Sequence, residues 1–217
     1  MEKILIIGEE ELAQTLRKKI DNKGYEIEIS DGDHEEDFKE FGIIFDLNFD
    51  DDSENFPIYA GLRDKLIFLS AVKQSLSEAA YIYPSKVRSR LFGINAISHY
   101  LATDVWELSA FRRNEWSYAI EFMSTLNLKS LQVEDAVGMY RPRIDFLALN
   151  EKIKLLNENI ISLDQTTIKQ EFKEIDSIGT TAIFEVLTAI YEDTKDPIYL
   201  PCPLLKRKYL RNHSFVQ

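Results

Sequence analysis

Glycine and acidic residues near the start of the chain fall at the spacing of a motif that binds dinucleotide cofactors. The apolar run over residues 3–7 ends at Gly8, and Asp31 ends the next predicted strand. In the G-x-G-x-x-G motif the first glycine makes the tight turn, and an acidic residue about 20 positions further on binds the ribose. The second and third glycine positions are occupied here by Glu10 and Ala13. The sequence therefore predicts a site that keeps the frame of the motif and has lost two of its glycines.

Three consecutive acidic residues, Glu9, Glu10 and Glu11, occupy the turn in which a pyrophosphate would lie. Backbone N–H groups at a helix N-terminus bind phosphate, and the second glycine allows the close approach. Two unit charges about 4 Å apart near a protein surface repel by up to roughly 4 kcal/mol, or about a thousandfold in affinity. Carboxylates also suit a helix N-terminus, so these residues could simply cap the helix. Asp31 likewise could be either a ribose ligand or a turn residue.

Short apolar runs alternate with helical patterns through the first part of the chain. Leu12, Ala13, Leu16 and Ile20 recur at helical spacing and would form one apolar stripe after the first strand. Strands that alternate with helices predict a mostly parallel sheet with right-handed crossovers. We therefore expect a Rossmann-like α/β domain of the NAD-binding type over residues 1–138. The predicted strands cover residues 4–7, 25–29, 42–47, 65–69, 81–83, 91–97, 105–110 and 130–133, and a helix covers residues 115–126.

The pattern changes after Gly138, where helical periodicity replaces the alternation. A long helix is expected over the region of Ile144 to Leu156, followed by helices over residues 166–172 and 180–192. Pro201 and Pro203 lie at the start of a last helix, where proline is favoured. The sequence therefore predicts an all-helical C-terminal domain over residues 139–217.

Four segments spread along the chain carry recognisable motifs. They are the opening strand with Gly8, Gly24 and Asp31; residues 92–97 with residues 105–107; residues 133–139 with Arg143 and Asn150; and residues 196–206. The last is close to the signature Asp-Pro-x-Tyr-x-Pro-x-Pro-Leu-Leu-x and is the most specific. Together they resemble the 3-hydroxyacyl-CoA dehydrogenases over nearly the whole chain. The resemblance implies NAD as the cofactor, acyl-CoA as a ligand and a homodimer formed through the helical domain.

The resemblance also assigns positions to the catalytic residues, and three of the four are changed. The family's catalytic histidine falls on Asn95, whereas the glutamate that orients it is kept as Glu107. The family's asparagine falls on Pro142, and its serine falls on Val72 or, with a shift of one, on Lys73. An amide cannot act as a general base near neutral pH, which removes a factor of about 10²–10⁴ in rate. Glu107 could still line the old pocket or could be an exposed strand carboxylate.

Composition narrows the kinds of partner, the cellular compartment and the metal chemistry that are expected of the chain. The chain has 217 residues, 45% of them hydrophobic, and a formal net charge of −11, which disfavours nucleic acid and anionic membranes as partners. Cys202 is the only cysteine, so we expect a reducing compartment and a cytoplasmic protein without a membrane span. The three histidines, His34, His99 and His213, lack metal-ligand spacing, so no metal site is expected. The run from Asp50 to Asp52 is predicted to be a loop or a solvated helix face.

Three functional hypotheses follow from the sequence. The first is a catalytically degenerate relative of 3-hydroxyacyl-CoA dehydrogenase with impaired NAD binding, which binds acyl-CoA, another small molecule or a protein partner. The second is an active oxidoreductase with altered residues, in which Glu107 acts with His99. The strand predicted over residues 91–97, if it ran further, would place His99 on the same face as Asn95. The third is a non-enzymatic interaction subunit without a ligand.

Overall fold

The chain folds into two compact units, residues 1–139 and residues 140–217. The computed structural model describes residues 2–20, 24–31, 38–50, 54–81 and 87–216. The first unit is an α/β domain, and the second is formed by helices. The predicted Rossmann-like fold followed by a helical region is therefore confirmed.

The first unit is built on one seven-stranded sheet in the order β2-β1-β3-β4-β5-β6-β7. β1 to β5 are parallel to one another, β6 is antiparallel to β5, and β7 is parallel to β6. The carboxyl ends of β1 to β5 therefore lie at one edge of the sheet. β6 and β7 run in the opposite direction, and Gln132 at the end of β7 lies in the same row as Ile94 at the end of β5. The strands are β1 (Lys3–Ile7), β2 (Glu26–Ser30), β3 (Ile43–Asp46), β4 (Leu66–Ser70), β5 (Arg90–Ile94), β6 (Val105–Ala110) and β7 (Lys129–Gln132).

Five α-helices accompany the sheet among the described residues of the first unit. They are α1 (Glu10–Ile20), α2 (Phe56–Gly61), α3 (Leu76–Ala80), α4 (Ser98–Leu101) and α5 (Trp116–Thr125). α1 buries the stripe formed by Ala13, Leu16 and Ile20, as its spacing predicts. Its first turn is acidic and its last turn is basic, which complements the helix dipole at both ends.

Apolar side chains are buried on both faces of the sheet. Alternate residues of β1 point to opposite faces, so that Ile4 and Ile6 join one core cluster while Leu5 and Ile7 join the other. The rings of Phe45 and Phe68 stack with centroids 4.7 Å apart. A sheet covered on both faces explains why central strands such as β1 and β4 are continuous apolar runs, whereas the edge strand β2 alternates.

Two strand predictions differ from the structure. The strand predicted over residues 81–83 is wrong at Tyr81, which ends α3, while residues 82–83 lie outside the described part of the chain. α3 starts at a capping box in which the Ser75 hydroxyl accepts from the Glu78 N–H and the Glu78 carboxylate accepts from the Ser75 N–H. The strand predicted over residues 91–97 ends at Ile94, because the chain turns into α4 beyond it. α2, α3 and α4 have six, five and four residues, too few to show a helical period in the sequence.

The helical unit contains four helices, α6 (Arg141–Asn157), α7 (Thr166–Ile178), α8 (Thr180–Thr194) and α9 (Pro203–Arg211). The buried Asn150 side chain of α6 donates to the Leu200 carbonyl at 2.9 Å and accepts from the Cys202 N–H at 2.8 Å. It thereby fixes the segment that carries the Asp-Pro-x-Tyr signature. In that segment Asp196 caps a short 3₁₀-helix by accepting from the Ile198 N–H at 3.0 Å. None of the helices among the described residues has the length and apolar character that a bilayer crossing requires.

Candidate functional site

A cleft of about 470 Å³ opens at the carboxyl ends of β1, β2 and β3. The strand order reverses at this point, since β2 lies on one side of β1 and β3 lies on the other. Ligands of open α/β sheets bind in the crevice at such a switch point. The cleft is lined by Gly8, Glu9, Glu10, Ile29, Ser30, Asp31 and Asn48.

Gly8 is required by packing at the floor of this cleft. A Cβ atom built on Gly8 would lie 2.9 Å from the Leu47 Cβ, which is shorter than ordinary carbon contacts. Leu47 is held there because its N–H donates to the Ile7 carbonyl at 2.8 Å. Any side chain at position 8 would therefore displace the end of β3 whether or not a cofactor binds.

The two replaced glycines differ in their surroundings. Glu10 is exposed in the first turn of α1 and lines the cleft, where its Oε1 accepts from the Gln14 side-chain N–H at 2.9 Å. Ala13 is fully buried, and its methyl group packs in the core beneath α1. The third glycine of the motif serves close packing between helix and strand, which alanine can also provide. Of the two replacements, only Glu10 changes the surface that a ligand would meet.

The cleft is acidic. Glu9, Glu10 and Asp31 all line it and are exposed, whereas none of its lining residues is cationic. Asp31 follows the last residue of β2, at the position expected of a ribose ligand. The arrangement suits a hydroxyl-bearing or cationic group better than a phosphate group.

Asn95 and Glu107 form a buried pair at the same edge of the sheet. Asn95 follows β5 directly, and its Nδ2 donates to the Glu107 Oε2 on β6 at 2.7 Å. The residues are 3% and 1% exposed, so the interpretation of Glu107 as an exposed strand carboxylate is wrong. The structure therefore brings together the two positions that the resemblance assigns to the catalytic histidine and its glutamate.

We expect Glu107→Ala to lower the free energy of unfolding by about 3 kcal/mol. The substitution leaves a buried Asn95 N–H without its acceptor and opens a cavity, and each effect is destabilising. Glu107→Gln keeps the volume and an amide oxygen that can accept from Asn95, so we expect a loss below about 1 kcal/mol. Urea denaturation of the three proteins measures the difference. Equal losses for the two variants would contradict a stabilising role for this hydrogen bond.

The position of the family's serine is filled by an internal carboxylate contact. Asp50 accepts from the N–H groups of Val72 at 3.0 Å, Lys73 at 2.7 Å and Gln74 at 3.2 Å. The hydroxyl of Ser70 also donates to it, at 2.5 Å. Consecutive N–H groups of this kind form a concave site for an anion, and Asp50 is that anion here. Asp50 lies in a turn, as one of the two predicted alternatives has it, but it is partly buried and bonded, so the alternative of a solvated helix face is wrong for this residue; Asp51 and Asp52 lie outside the described residues.

Asp50 should make stability depend on pH. Burial raises the pKa of its carboxyl group from 3.8 to about 6, against the lowering effect of the bonds from Ser70, Val72 and Lys73. A raised pKa means that the folded state holds the proton more tightly, so this stabilisation is complete below the unfolded value and is lost as pH rises through about 6. We expect the unfolding free energy of the wild type, minus that of Asp50→Asn, to increase by up to about 3 kcal/mol between about pH 8 and about pH 4. A flat or opposite trend in urea denaturation across this range would contradict the assignment.

The other candidate residues lie in helices or at their ends. His99 is exposed in α4 rather than on the strand, so its prediction on the same strand face as Asn95 is wrong. Ser75, whose hydroxyl is close along the chain to the serine position, is engaged in the cap of α3. Pro142 is buried in the first turn of α6 in the helical unit, where proline suits the backbone. No group of three or more metal-ligating side chains is gathered within the described ranges.

Sequence reasoning missed Asp50, although one signal was present. Asp50 comes four residues after the end of β3, close to the carboxyl edge of the sheet, where polar residues gather around a ligand. Its partners at residues 70–74 lie 20 or more positions away along the chain, so local patterns could not pair them. Ser109, whose buried hydroxyl lacks a hydrogen-bond partner in the described structure, was also missed; it lies opposite Gly93, where a Cβ would be 2.3 Å from its Oγ.

The fold has clear counterparts among solved structures, although neither a protein-family model nor a curated protein matches the sequence. FadB2 of M. tuberculosis superposes with a TM-score of 0.80 at 13% identity, covering 98% of this chain and 94% of that one. The (S)-3-hydroxybutyryl-CoA dehydrogenase PaaH1 from Ralstonia eutropha gives 0.70 at 14% identity with the same coverage. A 3-hydroxyacyl-CoA dehydrogenase from Archaeoglobus fulgidus gives 0.58 at 12% identity, covering 100% of this chain and 92% of that one. At identities this low, the superpositions show a shared fold and nothing further. The chain therefore has the fold of the 3-hydroxyacyl-CoA dehydrogenases.

Proposed function

We propose that the chain is a catalytically degenerate relative of the 3-hydroxyacyl-CoA dehydrogenases, which keeps their fold and has lost hydride transfer. The buried pair of Asn95 and Glu107 carries this proposal. In the resembled family a histidine at position 95 removes the hydroxyl proton and a glutamate at position 107 orients it. The Asn95 amide keeps the hydrogen bond to Glu107, but it cannot take up a proton near neutral pH.

The cofactor cleft supports the same proposal. Asp31 lines the cleft at the position that the motif gives to a ribose ligand, whereas Glu9 and Glu10 line it at the turn in which the motif binds a pyrophosphate. These residues do not fit a dinucleotide in its usual pose, because two negative groups would be brought together at the start of α1. The acidic turn supports the proposal that NAD binding is impaired.

The contact of Asp50 is a third supporting observation. The N–H groups of Val72 and Lys73 lie at the serine position of the resembled family, and both donate to Asp50. A substrate would have to displace a carboxylate that accepts from four donors.

We infer that the remaining function is binding of acyl-CoA or another small molecule by a homodimer, without turnover.

An assay of NADH oxidation with acetoacetyl-CoA tests the loss of activity. PaaH1 from Ralstonia eutropha, measured in parallel, serves as the working control of the same fold. We expect no oxidation above the rate without protein. Turnover in the range of about 1–10³ s⁻¹ that is usual for enzymes would establish an active oxidoreductase with altered residues and contradict the proposal.

A thermal-shift measurement with acetyl-CoA and acetoacetyl-CoA tests the retained binding. A ligand that binds only the folded state raises its stability by an amount set by its concentration relative to Kd. We expect a concentration-dependent rise in the unfolding temperature. Absence of any shift at millimolar ligand would instead favour an interaction subunit that binds no ligand.

A further inference from the structure

The loop that follows β4 gathers hydrogen-bond donors around one carboxylate. The N–H groups of residues 72–74 all lie within 3.2 Å of one oxygen, Asp50 Oδ1, and the Ser70 hydroxyl donates to the other oxygen, Oδ2. The Val72 N–H lies 3.0 Å from both oxygens. Successive N–H groups that converge in this way form a concave site for an anion. They precede Ser75, the cap of α3, so they belong to the loop and not to the start of the helix.

The loop is also held by bonds that do not involve this carboxylate. The Ala71 N–H donates to the Ile94 carbonyl at 3.1 Å, and the Val72 carbonyl accepts from the Gly138 N–H at 2.6 Å. At its far end the loop runs into Ser75, which forms the capping box of α3. We therefore expect the donors to stay in place when the carboxylate is removed.

Asp50 reaches this loop from a different segment of the chain. It follows β3, and its donors lie 20 or more positions further on. The Gln74 side chain separately holds that segment, since its Nε2 donates to the Phe49 carbonyl at 2.5 Å. Asp50 itself is only partly buried, so the carboxylate is a separable occupant that solvent can reach.

The charges around the loop also suit an anion. Burial raises the pKa of the Asp50 carboxyl group to about 6, whereas the bonds from Ser70, Val72 and Lys73 and the charge of the Lys73 ammonium act to lower it. Four donors and a cation therefore favour the ionised group. Ser70 pairs with Ile94 at the end of β5, so the loop lies at the carboxyl edge of β1 to β5, where ligands of this kind of sheet bind.

We propose that residues 70–74 form a carboxylate-binding site at this edge, and that Asp50 occupies the site and closes it to external carboxylates. Asp50 is then a specificity residue, because it excludes ligands that would place a carboxylate at the end of β4. A carboxylate fits better than a phosphate because the donors meet the two oxygens of a planar group. As far as the ligand is concerned, the inference rests on the proposed function, which places a small molecule at this edge.

Formate tests the site because it has the atoms that Asp50→Ala removes. At about pH 7.5, about 0.2 M sodium formate should raise the unfolding temperature of Asp50→Ala by at least about 3 °C more than equimolar sodium chloride does. The wild type should show no such difference, because its site is filled. Asp50→Asn is the matched control: it keeps the volume of the side chain, leaves no room for formate and should show no difference either.

A second pair and a second anion complete the test. Acetate has the atoms of the whole Asp50 side chain, so Asp50→Gly should respond to acetate as Asp50→Ala responds to formate. If either variant is unfolded in plain buffer, we expect its matching anion to restore the folded circular dichroism spectrum. Neither stabilisation nor recovery in both variants overturns the proposal, and so does an equal response of the wild type. A rise with inorganic phosphate as large as that with formate would contradict the assignment to carboxylates.

These titrations contain neither CoA nor a nucleotide. Their outcome is therefore independent of the assays of NADH oxidation and acyl-CoA binding, and failure of the carboxylate site is distinguishable from failure of the proposed function.

Discussion

Glu10→Gly is expected to raise the affinity for NADH by up to about a thousandfold. The carboxylate of Glu10 lies in the first turn of α1, and it lines the cleft where a pyrophosphate would contact backbone N–H groups. Repulsion between two unit charges at about 4 Å reaches roughly 4 kcal/mol near a protein surface, and about 1.4 kcal/mol corresponds to a tenfold change in affinity. Glycine removes this charge and also the bulk that keeps a ligand from the backbone. Quenching of tryptophan fluorescence during an NADH titration measures the affinity.

Two variants separate the causes of that gain. Glu10→Gln removes the charge and keeps the bulk, so it should recover only the electrostatic part. Ala13→Gly is the matched negative control: Ala13 is fully buried, so glycine there should leave affinity unchanged and cost about 1 kcal/mol of helix stability. An affinity of Glu10→Gly equal to that of the wild type would show that Glu10 does not block the cleft.

Asn95→His, combined with Glu10→Gly, is expected to create measurable hydride transfer between NADH and acetoacetyl-CoA. The Glu107 carboxylate, which now accepts from Asn95 at 2.7 Å, would accept from an imidazole N–H instead and orient it. A positioned general acid or base contributes about 10²–10⁴-fold in rate. Because Pro142 and the serine position are also changed, we expect a gain on the order of 10²-fold over Glu10→Gly alone. NADH oxidation followed at saturating acetoacetyl-CoA measures it.

The role of Glu107 in that gain has its own control. Adding Glu107→Gln to the double variant leaves a neutral partner that cannot stabilise a protonated imidazole, so most of the gain should disappear. Circular dichroism and a thermal melt establish that each variant is folded before its rate is compared. A folded double variant with no gain over Glu10→Gly would mean that position 95 does not limit the chemistry.

The fold could be predicted from the sequence because its strongest signals are local. β1 and β6 are buried apolar runs that formed close to their predicted bounds, and α1 buries the apolar stripe predicted from its helical spacing. The motifs that contain Asn150 and Asp196 also helped to predict the helical unit. In the structure both side chains form hydrogen bonds with the segment that precedes α9. Errors occurred where a helix is only four to six residues long, because a single turn shows no period.

The candidate site was predicted only in part because its contacts are distant along the chain. Asn95 and Glu107 were paired through the resemblance, and the structure adds that the pair is buried and hydrogen-bonded. The bond of Asp50 with residues 72–74 had no local signal, since it depends on β3 and β4 lying side by side. His99 was misplaced because a local pattern was extended too far. Its spacing of four residues from Asn95 suggested one face of a strand, but the strand ends before it.

The close approach of Leu47 to Gly8 has a consequence for how dinucleotide motifs are recognised in chains of this fold. Since the first glycine is demanded by the end of β3, selection for folding alone would retain it after the cofactor had been lost. The position of Glu10 is under no such demand, because its side chain faces solvent. A motif search that gives the first and second glycine positions equal weight would therefore count a residue required for packing as a sign of redox chemistry. The second position is the informative one.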